Sequence, residues 1–216
     1  MKKYISFIVL VLLFHWSNFA VAENEIQIQM FTAVQQGDLG TFNQLLSSGA
    51  DPGFTEEHKS FRNSSFCEAT KVGNGKFFDL IVGKERQLEY RSFYTDPFGS
   101  PLLCAISYGN FPVYEKLLSL GVEVNAIQNE GSEMVRRPLS FALLNSRANF
   151  AWDILQRIEP DETQITYMVQ FAERNGGVEG TLQQMYRQKI IHWLIDRGVL
   201  VDPKPPAPRE LYERKK

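Results

Sequence analysis

Four alanines, Ala33, Ala69, Ala105 and Ala142, stand 36, 36 and 37 residues apart, and the first three are each followed four residues later by a glycine: Gly37, Gly73 and Gly109. The spacing constrains the fold more than any other feature. A small residue on one helix lets the next unit approach closely, and a glycine ends that helix where the chain must turn back. A near-constant period of this size marks stacked supersecondary units, none of which can bury its own apolar face alone. A weaker copy of the pattern stands at Ala172/Gly176.

The stretch Ser100 to Asn125 spells out one whole unit. Ser100-Pro101 supplies a helix cap and a first-turn proline, Gly109 a turn, and Gly121 a stop after Leu117, Leu118 and Leu120. The second helix of the unit can be checked separately, because Gly37 to Gly49 and Gly109 to Gly121 both span twelve residues. Phe42, Leu45 and Leu46 in one copy match Tyr114, Leu117 and Leu118 in the other, an i, i+3, i+4 face that packs on the inner helix. The expected fold is therefore all-α. Irregularities are expected at four places. The second copy begins near Asn63-Ser64-Ser65-Phe66, and its outer helix, Lys76 to Val82, stops early at Gly83. Ser146 and Ile158 stand where the fourth copy should carry glycines, and Asp161 and Gln164 form a capping box. The final helix, about Thr181 to Arg197, is extended before Gly198.

These residues resemble the ankyrin-repeat family, whose unit is a β-turn finger followed by two antiparallel helices. Gly49-Ala50-Asp51 matches the family's G-A-D, Gly121-Val122-Glu123-Val124-Asn125 its G-x-x-V-N, and Ser100-Pro101-Leu102 and Arg137-Pro138-Leu139 its T-P-L. In the first copy Ile28-Gln29-Met30 replaces T-P-L, as expected of a terminal cap whose outer face meets water. The resemblance implies a solenoid of about five helix-turn-helix repeats over residues 23–201, with long, irregular fingers at Lys84 to Gly99 and Gln128 to Arg136.

The N-terminus carries Lys2-Lys3, an apolar run from Tyr4 through Phe14, and Ala20-Val21-Ala22. That is the pattern of a secretory signal peptide over residues 1–22, too short in its apolar core to span a bilayer. Cleavage after Ala22 would deliver the chain to a bacterial periplasm, with no stable membrane insertion. An oxidising compartment permits Cys67 and Cys104 to pair, and both fall near the same point of successive units. Against pairing, packed helices sit roughly 8 to 10 Å apart while a bridge needs Cα atoms within about 7 Å. Both the disulfide and two buried thiols stay open. The tail, residues 202–216, is proline-rich and basic and reads as disordered.

No catalytic constellation emerges. The net charge of -2 offers nothing to draw a nucleic-acid backbone. His58 and His192 have no second histidine or cysteine at helical spacing to complete a zinc site, and nothing places a base or an oxyanion hole around Cys67 and His58. Gly73-Asn74-Gly75-Lys76 lacks the spacing of a phosphate loop. No cofactor, metal or enzymatic role is expected.

What remains is recognition of another protein. The long fingers concentrate Tyr90, Tyr94 and Asp96 in one and Glu130, Met134 and Arg136 in the next, residue types suited to interface contacts. On the inner helices Lys71, Tyr108 and Asn145 stand just before the turn, positions that the family uses for contact. Small exported bacterial proteins of this type are similar to immunity proteins that mask toxins, including lipase-type effectors of type VI secretion. The alternative is an envelope scaffold or stress-protective adaptor.

Overall fold

A computed structural model of the chain describes residues 25–54, 64–84, 100–125, 137–174 and 179–200. Among them the only regular structure is helical, in ten segments. They are α1 (25–36), α2 (Leu39–Ser47), α3 (Ser65–Ala69), α4 (Gly75–Lys84), α5 (Pro101–Tyr108), α6 (Phe111–Ser119), α7 (Pro138–Leu144), α8 (Ala148–Leu155), α9 (Glu162–Glu173) and α10 (Leu182–Asp196). Consecutive helices pack as hairpins: α3 on α4, α5 on α6, α7 on α8 and α9 on α10. The first members form one row, α3 against α5, α5 against α7 and α7 against α9, while α2 meets α4 and α8 meets α10 in the other.

The local chemistry is that of the sequence. Ser64 Oγ accepts from Cys67 N–H and Ser100 Oγ from Leu103 N–H, each satisfying a donor the helix start leaves orphaned. Pro101 and Pro138 stand in first turns, where a missing N–H costs nothing. At the α9 start, Asp161 and Gln164 exchange side-chain and main-chain bonds as a capping box. The hairpin turns pass through the left-handed region at Gly37, Gly73 and Gly109 and, in the fourth hairpin, at Ser146 (φ 57°). Ser146 is the only non-glycine among the described residues to do so, and it does so because the period demands the same turn there.

Packing explains the small residues. Ala33, Ala69, Ala105 and Ala142 are all buried, so the inner helices close over them. Ala172 is only partly buried and lies in the last turn of the longer α9, and Gly176 falls outside the described residues. On the outer row Phe42 meets Phe77 edge-on, and Phe111 and Tyr114 both pack on Phe150. Truncating one such buried ring would cost about 3–5 kcal/mol. Tyr114 also donates its hydroxyl to Asp153 Oδ2 at 2.8 Å, and Asp153 in turn pairs with Arg157. Burial, then the Asp153 carboxylate, holds the Tyr114 hydroxyl far above the usual phenol range, so it stays a donor.

One expectation needs correction, and one open question is decided. Gly83 does not stop the outer helix: α4 continues through it to Lys84, and Gly83 has no positive φ. Helix propensity tolerates an exposed glycine at a cost of about 1 kcal/mol, and only a following turn would have made it a stop. Of the two open cysteine states, the structure holds the bridge: Cys67 and Cys104 form a disulfide with their Cα atoms 5.5 Å apart. The distance argument against it compared helix axes. Facing Cα atoms each stand roughly 2.3 Å off their axes, so two closely packed helices bring them within bonding range.

Candidate functional site

At the turn end of the inner row, exposed or partly exposed side chains recur with the period, Tyr108 being the partly buried one. Val72, Tyr108 and Asn145 immediately precede Gly73, Gly109 and Ser146, and Gln36 precedes Gly37 in the same way. In the middle hairpins the rest of the inner helix is committed to the core, α3 along its whole length and α5 from Pro101 to Ile106, whereas α1 also exposes Ile26 and Ile28. The hairpins α3/α4, α5/α6 and α7/α8 each contribute an outward residue at the same place. Val72 is the most exposed of the large hydrophobic residues here, at 72%. Spacing from the expected contact residue Tyr108 leads to Val72, 36 residues earlier, and that signal was legible. Lys71, by contrast, lies one residue out of register with Tyr108 and Asn145.

Lys71 and Tyr108 are nevertheless brought together. The Lys71 ammonium pairs with Glu68 Oε1 at 2.7 Å and stands 5.1 Å from the centre of the Tyr108 ring. Glu68 is itself buried, in the short helix α3, and Asn74 donates to its main-chain carbonyl at 3.0 Å. The acid thus fixes the ammonium, and the ammonium lies against the tyrosine face, a cation–π contact of about 0.5–1 kcal/mol at a site this open. Asn145 takes no part, since its amide turns back to Phe141 O at 2.9 Å. Tyr90, Tyr94, Asp96, Glu130, Met134 and Arg136 lie outside the described residues, as do residues 1–24 and 201–216.

Behind this surface a second register runs through the residues that open the outer helices. Asp38, Asn74, Asn110 and Arg147 stand 36, 36 and 37 residues apart. Asp38 accepts from Thr41 N–H, and hydrogen bonding from Thr41, from its side chain first and its main chain second, holds the Asp38 carboxyl below the usual range. Asn110 donates to Thr70 O of the preceding hairpin at 2.9 Å, and Arg147 donates to Ser107 O at 2.6 Å. Each of these two side chains ties its own turn to the turn before it, which holds the outward residues in a fixed array.

His192 is exposed on α10. Among the described residues no group of three or more His, Cys, Asp or Glu side chains is placed to hold a metal ion. No described helix is long and apolar enough to cross a membrane. The sequence matches no family model and no curated protein.

Proposed function

We propose that this chain is an exported, non-enzymatic protein-binding module built as an ankyrin-type solenoid of about five repeats. In this reading it acts in the periplasm as an immunity protein that masks an antibacterial effector. The observation that carries the binding reading is the array of outward residues at successive inner turns, with exposed Val72 and half-buried Tyr108 beside a fixed ammonium. Accessible apolar and aromatic groups flanked by held charge are what a protein interface requires, because they combine contact area with directional bonds at small entropic cost. The Cys67–Cys104 bridge supports export, since structural disulfides persist in oxidising compartments. The N-terminal Lys2-Lys3, apolar run and Ala20-Val21-Ala22 support a cleaved signal over residues 1–22.

The test is competition between sister cells. A strain lacking this gene should be killed by its parent and rescued by the wild-type chain, while Val72→Glu should rescue poorly although the variant folds. A charge at that exposed site would cost the complex roughly 1–3 kcal/mol, a hot-spot magnitude. Survival of the deletion strain without any rescue would sink the immunity reading and leave an envelope adaptor as the protein-binding role to pursue.

A further inference from the structure

Beside the last of these turns, the α7–α8 turn, the end of α9 and the start of α10 surround a cavity of about 170 Å³. Sites for drug-sized ligands run to roughly 300–1,000 Å³, so this one suits a single amino-acid residue. Ser146 and Ala148 line it from the turn, Phe171 and Arg174 from α9, and Gln184 and Arg187 from α10. Two guanidinium-bearing residues and no carboxylate are present in that lining. None of the ion pairs among the described residues uses either arginine.

Arg187 is held in place by its own chain. Its Nη2 donates to Ala172 O at 2.5 Å and Arg174 O at 2.6 Å, answering the negative end of α9. Those bonds use one nitrogen of a group that has five N–H donors. Burial without an acid lowers the pKa of this guanidinium, the signature of a cation short of a counter-charge. Gln183 is spent: its Oε1 accepts from Ala148 N–H and its Nε2 donates to Asn149. Gln184, in the first turn of α10, has a buried Oε1 with no partner. The cavity thus offers N–H donors for an anion over the apolar surface of Phe171 and Ala148, and Gln184 on its wall carries an acceptor that no protein donor satisfies.

We propose that this cavity receives a carboxylate that carries a neighbouring N–H, the chemistry shared by a free amino acid and the C-terminal residue of a peptide. The carboxylate sits against Arg174 and Arg187, and the N–H reaches Gln184 Oε1. The site adjoins Asn145 but shares no residue with Val72, Lys71 and Tyr108, which carry the protein-binding reading, so either can fail without the other.

The experiment is a titration of the isotope-labelled full-length mature chain, read by amide chemical shifts. N-acetylalanine, which has both groups, should shift Ser146, Phe171, Arg174 and Gln184 and leave Val72 and Tyr108 unmoved. Its carboxamide, lacking the charge, should shift none of them, and propionate, lacking the N–H, should bind several-fold more weakly. Arg174→Glu, at an exposed position, should weaken N-acetylalanine about tenfold or more, as loss of a charge-assisted contact does. Gln184→Glu should do the same by placing a like charge in the cavity. Tighter binding of free alanine than of N-acetylalanine identifies the free amino acid as the source, and the reverse order identifies the peptide terminus. Absence of shifts at these residues with every carboxylate overturns the proposal. So does equal binding of the carboxamide, or undiminished binding by both variants.

Discussion

The hairpins α5/α6 and α7/α8 are one period apart and follow the same path, yet they are finished by different chemistry. In α5/α6 each helix start is capped by its own short polar residue: Ser100 accepts from Leu103 N–H and Asn110 from Val113 N–H. Its turn uses Gly109, and Cys104 bonds it covalently to the hairpin before it. In α7/α8 arginines stand at both cap positions and neither makes a side-chain cap bond. The donors and charges are met from the next hairpin instead, by Gln183 at Ala148 N–H and by Asp161 at Arg137. Geometry is set by the period, and completion is left to whichever neighbour is within reach. For its helix starts the earlier hairpin uses its own residues and the later one borrows from the hairpin after it, although Arg147 still reaches back to Ser107 O and Tyr114 forward to Asp153.

The sharpest way to break the comparison is to remove the covalent link. Cys67→Ala with Cys104→Ala, or reductant on the wild type, should lower stability by about 4 kcal/mol for a loop closed across 37 residues. Urea unfolding measures it, and an unchanged midpoint in reductant would mean that the bridge contributes nothing to the backward tie. Next comes Gly109→Ala. The residue has φ 72°, and a Cβ there would stand 3.0 Å from Arg147 Nη1. The left-handed cost of about 1–2 kcal/mol would be joined by loosening of the Arg147 bond to Ser107 O. A loss near 2 kcal/mol in thermal or urea unfolding is expected, and a loss no larger than that of an ordinary surface substitution would show that the turn is not held in that region. The smallest effect should have the opposite sign. Ser146→Gly relieves the same strain at φ 57° and should raise stability by about 0.5 kcal/mol, because glycine's looser unfolded chain offsets part of the gain. A destabilised variant would show that the Ser146 side chain contributes more than its backbone costs.

Much of the first hairpin was legible because its signals are local. A serine before proline, an asparagine before an apolar run and a glycine after one act within four residues, so their spacing suffices. Ser146 was legible as a departure, though that it keeps the left-handed turn was not. Gly83 misled because a glycine stops a helix only if the chain then turns, and nothing nearby in the sequence says whether it does. Of the candidate contact residues, Tyr108 follows from the period, and Val72 could have been found the same way. The Lys71 contact with Tyr108 could not, since it depends on Glu68 being buried and drawing the ammonium across. The cavity at α9/α10 left no trace in the spacing at all, because Arg187 reaches the end of α9 from a different helix.

The sequence by itself determined the period, the helical hairpins, their capped starts and the left-handed turns, all consequences of backbone sterics and hydrogen bonding over a few neighbouring residues. Only the tertiary structure decided that Cys67 and Cys104 bond, that Glu68 holds Lys71 against Tyr108, and that Arg174, Gln184 and Arg187 surround one cavity. Those outcomes turn on distances of a few ångströms between residues from different helices, and packing, which no local rule encodes, sets them.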